Sequence, residues 1–237
     1  MKKYELTAEF IEKWGKKLFR IKALISFGSV EAGELGGYIE KEDNLAHDGN
    51  AWVSGDARVS GNARVSGNAR VYGNARVSGD AEVSGNAWVY GNAEVSGNAR
   101  VSGNARVSGN ARVSGDARVY GNAWVYGNAR VYGDAEVSGD ARVYGDAEVS
   151  GNADYLLIGR IGSRFSFTTF FKNKDKGITV SCGCFLGTIA EFRAKVTDTH
   201  GNNKHAKIYN LAADMAELQI LGEEHFDKLN TNKSESF

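Results

Sequence analysis

Four side chains near the C-terminal end have the types of a metal or nucleophile site: Cys182, Cys184, His200 and His205. Two thiolates and two imidazoles are a zinc ligand set, although Cys-x-Cys is shorter than the usual cysteine spacing of structural zinc sites. Two cysteines at i and i+2 on a strand also simply face one core side by side. A thiol next to an imidazole, Cys182 or Cys184 with His200, would be a nucleophile. Gly28, Gly33, Gly36 and Gly37 do not match a phosphate-cradling loop that opens a helix, and read as turns.

What positions these residues is a repeat. From Ala51 to Asn152 the chain writes one six-residue phrase, Ala-x-Val-(Ser/Tyr)-Gly-(Asn/Asp), seventeen times without insertion or deletion. A short fixed period means units that stack on their neighbours, since none can bury a face alone. Ala and Val alternate inward against outward x and y. Gly-Asn and Gly-Asp tolerate the left-handed backbone of a sharp corner. The small Ala suits the crowded corner and the β-branched Val fills the flat side. A four-residue strand and a two-residue corner, repeated, make a prism of stacked parallel strands. Val and Ala at strict spacing exclude a disordered glycine-rich tract.

Read as Val-(Ser/Tyr)-Gly-(Asn/Asp)-Ala-x, the phrase resembles the hexapeptide repeat of the left-handed β-helix proteins. In that family three hexads form a coil, so the resemblance implies an eighteen-residue return to the same side. A rod of a little under six coils is about 27 Å long at ~4.8 Å per stacked strand. Sorted by that return, one face carries Trp52, Arg70, Trp88, Arg106, Trp124 and Arg142 at x, and Tyr72, Tyr90, Tyr126 and Tyr144 at y. The other two faces carry Arg and Glu at x, with one Tyr each, Tyr132 and Tyr120. Alternating Trp and Arg suits guanidinium-over-indole stacking, which makes either a self-stabilising ladder or an exposed aromatic patch that binds something.

The same family includes acyltransferases with a histidine base near the cleft between coils, and γ-class carbonic anhydrases with three histidine ligands. The repeats hold no histidine, and no threonine ladder of the ice-binding kind. A non-enzyme without a cofactor is expected. Net charge is zero, and in the repeats ten Arg offset six Asp and four Glu, which argues against duplex nucleic acid. Two cysteines fit a reducing cytosol; neither a signal peptide nor a membrane span is expected.

Along the rest of the chain, residues 2–6 read as a strand, 10–17 as a helical turn or loop, and Lys17–Leu24 as a strand. The glycine-rich segment from Phe27 leads into a first, imperfect coil with Ile39, Leu45 and Val53. Past the repeats, Tyr155–Ile158, Phe165–Phe171 and Ile178–Cys182 read as strands. Cys-Gly-Cys-Phe then leads to a helix capped by Thr188 with Glu191 three residues on. A second helix, from about Asn203 to Leu221, has Ile208, Leu211, Ala212, Met215, Leu218 and Leu221 on one stripe. Residues 222–237, with His225, are polar and expected to fray. The N-terminal segment and the C-terminal block together resemble hexapeptide-repeat proteins of bacteriophages, prophages and gut or Gram-positive bacteria, which implies a genomic setting and no activity.

The expected protein is mainly β: a single-stranded left-handed parallel β-helix of hexapeptide repeats over 38–152, an N-terminal β cap over 1–37, and a small α+β module over 153–237. Its expected role is a cytoplasmic, non-catalytic scaffold using the Trp/Tyr/Arg face for itself, as dimer or trimer, or for a host protein such as a defence component. A nucleotide or glycan on that face, and an acyltransferase-like enzyme, are the alternatives.

Overall fold

The computed structural model describes residues 1–13 and 15–223. Each hexad forms a two-residue strand from its x residue and its Val, giving strands β4–β20 from Trp52–Val53 to Glu148–Val149. Each but the last three pairs in parallel with the strand eighteen residues on: Trp52 with Arg70, Arg58 with Arg76, Arg64 with Glu82. The result is a parallel β-solenoid of about six coils with three sheets along its sides. The strands are shorter than the expected four residues, yet coil-to-coil bonding runs past them. Trp52 N donates to Ala69 O at 3.0 Å, Ser54 N to Val71 O at 2.9 Å and Asn74 N to Gly91 O at 2.8 Å.

The interior is the expected alternation, with every repeat Ala and Val at most 1% exposed. Corners turn on glycine: Gly91 has φ 72°, and a Cβ there would lie 3.1 Å from the nitrogen of Gly109 in the next coil. Beside the glycines run amide ladders. Asn50 donates through Nδ2 to Asn68, and the chain continues through Asn86, Asn104 and Asn122 to Asp140, each step 3.0–3.1 Å. A second ladder runs from Asn74 through Asn92, Asn110 and Asn128 to Asp146. Both end on a carboxylate, which accepts and has nothing to pass on.

At the N-terminal end β1 (Tyr4–Lys13) and β2 (Lys16–Ala23) form an antiparallel hairpin. The expected loop at 10–17 is strand instead, up to the turn. The Phe10–Phe19 and Ile11–Leu18 pairs meet across it, which favours continued pairing. Strand β3 (Leu35–Ile39) lies antiparallel to β2 and parallel to β5, so the hairpin extends one side of the solenoid as a nine-stranded sheet. In the first coil Ile39 pairs with Val59 and Leu45 bridges to Val65, twenty residues apart rather than eighteen.

Tyr4, fully buried, covers the end of the rod; its hydroxyl lies 2.8 Å from both Leu45 O and Glu42 O, which share its one proton. Lys3 is buried beside it, with Nζ 2.9 Å from Ala51 O and 4.7 Å from the Phe27 ring.

Past a 3-10 turn at Asn152–Asp154, strands β21 (Tyr155–Ile161), β22 (Ser166–Lys172), β23 (Ile178–Cys182) and β24 (Phe185–Thr188) form an antiparallel meander. Helices α1 (Ile189–His200) and α2 (Lys204–Leu221) pack on it. Thr188 caps α1 with Glu191 as expected, while β24 is an addition to the sequence reading. Neighbouring residues of β22 serve two cores, because a strand alternates its faces. Phe171 plugs the solenoid with Tyr155 and Leu157 against it; Phe170 packs with Val180, Phe192 and Tyr209 inside the module.

Helix α2 reverses an expectation. Its buried face is Ala206, Tyr209, Ala212, Ala213, Ala216 and Ile220. Of the anticipated core stripe only Ala212 is buried; Ile208, Leu211, Met215 and Leu218 face outward. The meander sits close to the helix, so small residues fit that contact and the bulky ones lie opposite. The expected polar tail lies outside the described residues from 224 onward. No helix among the described residues is long and apolar enough to cross a membrane.

Candidate functional site

The solenoid places the Trp/Arg series in one register. Trp52, Arg70, Trp88, Arg106, Trp124 and Arg142 are successive partners in the six-stranded sheet. The three sides solve the same charge problem differently. On the other two sides Arg meets Glu one coil away: Arg76 and Arg112 both reach Glu94, at 3.1 and 3.3 Å, and Arg118 reaches Glu136 at 2.9 Å. On this side Arg meets indole. The Arg106 guanidinium carbon is 5.1 Å from the ring centres of both Trp88 and Trp124, and Arg142 is 5.8 Å from Trp124.

The tyrosines form stacks on the same side. Tyr72 and Tyr90 lie 5.0 Å apart and within 1° of parallel; Tyr126 and Tyr144 lie 4.5 Å apart. Burial, with the stacked Tyr144 adding to it, pushes the Tyr126 hydroxyl up to about 12. Burial raises Tyr72 as well, helped by Tyr90.

Trp52 departs from the reading of an open face. It is 5% exposed, covered edge-on by Phe27 and Tyr4 of the cap, and belongs to the core. The open face runs from Arg70 to Tyr144. At its N-terminal end lies a cavity of about 350 Å³, lined by Trp52, Arg70, Tyr72 and Trp88 with Glu34 and Asn50. Arg70 stacks on no ring and makes no hydrogen bond or ion pair among the described residues, unlike Arg106 and Arg142. The buried Trp52 Nε1 is also without an acceptor.

The cysteines and histidines do not assemble as a ligand set. Cys182 ends β23 half-buried, its sulfur accepting from Thr168 Oγ1 at 3.2 Å. Cys184 is exposed in the Gly183–Cys184 turn between β23 and β24, so the two thiols do not face one core side by side. His200 stacks on Tyr209 at 5.7 Å and lies 5.8 Å from His205. Among the described residues no three His, Cys, Asp or Glu side chains are placed to hold a metal ion.

Cys182, Cys184 and His200 do line a second cavity, of about 390 Å³, with Arg164, Lys195 and Tyr209. Burial pushes the Tyr209 hydroxyl up to about 12, with Cys182 beside it adding to the rise. Sequence reasoning missed Arg164, Lys195 and Tyr209 because they come from the β21–β22 turn, α1 and α2, and no local pattern marks them.

The family described as "Bactofilin: Polymer-forming cytoskeletal" matches residues 28–158, just over half the chain. The match takes in the glycine-rich turn, the whole solenoid and the start of β21; the hairpin and the remaining module lie outside it. No curated protein matches the chain. The chain belongs to the bactofilins, a structural family of polymer formers rather than enzymes.

Proposed function

We propose that the protein is a non-catalytic scaffold that self-associates, with the aromatic side of its solenoid as a lateral contact. The observation that carries this is the covering of both rod ends. Tyr4 and Lys3 cover the interior at one end and Phe171 at the other, which leaves the sides of the solenoid as its broad free surfaces. Of the three sides, two are latticed with Arg–Glu pairs and one presents Trp88, Trp124 and four tyrosines. Aromatic and arginine side chains are those enriched where proteins meet.

The finer reading is a left-handed coil of the hexapeptide-repeat kind, of phage or prophage origin, acting in the bacterial cytoplasm. It rests on the resemblance of the repeats and of the two terminal segments. A host protein is the other partner such a face would take. The division at 37/38 and 152/153 is proposed on the same footing, with the first coil counted as solenoid.

The test is light-scattering mass of the wild type beside Trp88→Ala/Trp124→Ala. Trp52 is left intact because it supports the cap. Assemblies that shrink in the variant, with an unchanged circular dichroism spectrum, support the lateral contact; equal masses rule it out.

A second reading has its own observation. Among the described residues Arg70 and Trp52 Nε1 are donors without acceptors at an aromatic-lined cavity, the arrangement a glycan or nucleotide would complete. Quenching of tryptophan fluorescence by sugars or nucleotides, lost in Arg70→Gln, would establish it.

A further inference from the structure

Helix α2 is built inside out for a monomer. Its packed face is mostly alanine, while Ile208, Leu211, Met215 and Leu218 are 37%, 63%, 58% and 46% exposed. Their spacing is three, four, three. That is the alternation of a two-helix seam, in which successive apolar residues keep facing one partner helix. No charged residue interrupts the stripe. A contiguous apolar strip of this kind on an otherwise polar helix marks a contact surface.

We infer that α2 pairs with α2 of a second copy of this chain, antiparallel about a two-fold axis. The partner is a second copy for three reasons. The stripe is self-complementary: about a centre near Ala213, Ile208 of one helix meets Leu218 of the other, and Leu211 meets Met215. The charges at the two ends agree with that direction, since Lys204 and Lys207 open the helix and Glu223 follows it. Antiparallel pairing brings each basic end to the partner's acidic end, and sets the helix dipoles head to tail. Finally, the chain belongs to a family of polymer formers.

The inference deepens the scaffold reading and rests on it for the identity of the partner. It also supplies what that reading lacks. A two-fold contact used once gives a closed dimer, and an open polymer needs a second, different contact. The α2 seam and the aromatic side would be those two, joining C-terminal modules in one case and solenoids in the other.

The experiment compares the wild-type mass with Leu211→Glu/Met215→Glu and, separately, Trp88→Ala/Trp124→Ala, each checked for folding by circular dichroism and thermal melting. Both α2 positions are exposed, so the fold should be retained. The expected result is that the α2 variant halves the mass of the smallest stable species, from twice the 25.5 kDa chain to a single chain. Leu211→Cys in a Cys182→Ser/Cys184→Ser background, cross-linked with a short bifunctional maleimide, should form a covalent dimer, with less product from Leu24→Cys elsewhere on the surface.

Wild-type assemblies unaffected by the α2 variant would overturn the seam and leave the scaffold reading standing. A wild-type dimer abolished by the α2 variant and indifferent to the tryptophan variant would keep the seam and sink the lateral contact. A monomeric wild type overturns the seam; if that monomer becomes a dimer once residues 224–237 are removed, those residues are what covers the stripe.

Discussion

The guanidinium carbon of Arg106 stands 5.1 Å from the ring centre of Trp88, one coil below it. It is equally close to Trp124 one coil above, so a single cation serves two indoles. Arg70 has the same place in the sequence pattern and neither contact. Arg106→Ala should therefore lower stability by about 1–2 kcal/mol, from two exposed pairs. Arg70→Ala should stay within about 0.5 kcal/mol. Paired urea titrations check the difference; equal losses would mean that the stacking contributes nothing.

Two corner glycines separate backbone strain from crowding. Gly109 and Gly145 both have φ 68°, but a Cβ on Gly109 would lie 3.0 Å from the nitrogen of Gly127, while one on Gly145 meets nothing within 4 Å. Gly145→Ala should cost about 1–2 kcal/mol, the left-handed backbone penalty alone. Gly109→Ala should cost about 1–3 kcal/mol more, as overpacking does. Thermal melts of the two variants are the measurement.

Lys3 makes the N-terminal cap firmer in mild alkali. Burial holds its ammonium down at about 8 from an ordinary 10.5, with Asp48 opposing part of the fall. Between those values the unfolded chain carries a proton that the folded chain has released, so the Lys3 contribution to stability rises with pH. Hydrogen exchange at Tyr4 and Leu45 should slow from pH 7.5 to 10 after correction for the intrinsic rate. Lys3→Met should flatten that trend.

The two helices are clamped by one cation. Arg193 Nη2 lies 2.6 Å from Glu217, which is 6% exposed, and 2.7 Å from Asp214. Removing the guanidinium leaves a buried carboxylate unpaired, a loss of about 3–5 kcal/mol. Arg193→Met should fall in that range, and Glu217→Gln in the same background should recover much of it. Chemical denaturation of the single and double variants decides; an absent rescue would place the loss in the Arg193 stem and not in its charge.

The solenoid was legible because its period is written seventeen times and each repetition obeys the same steric demands. The inward Ala and Val and the corner Gly follow from the six-residue period, and the sharing of one side by Trp88, Arg106 and Trp124 from the three-hexad coil that the family resemblance implied. What was not legible depends on contacts between distant segments. Trp52 looks like Trp88 in its hexad, and only Phe27 and Tyr4, far from it in sequence, bury it. The α2 stripe shows an apolar helical period without saying which neighbour it meets. Its alanines are the better marker of the packed side, because a sheet pressed against a helix leaves room for little more. The Cys182 and His200 surroundings come from strands and helices whose order no spacing rule reveals.

The amide ladders have a consequence for how this molecule can change in evolution. Along two corners each amide donates to its counterpart eighteen residues on, closing on Asp140 and Asp146, while the third corner has only the single steps Asn62 to Asp80 and Asn98 to Asp116. Eighteen residues are thus a cassette that can be gained or lost with the sides and the coil register preserved. Six or twelve would rotate the tryptophans onto the arginine–glutamate sides and leave Phe171 facing the wrong corner. The rod is in effect a ruler graduated in coils. Its length, the distance it sets between the Tyr4 cap and the α2 seam, is the property that selection can adjust one notch at a time.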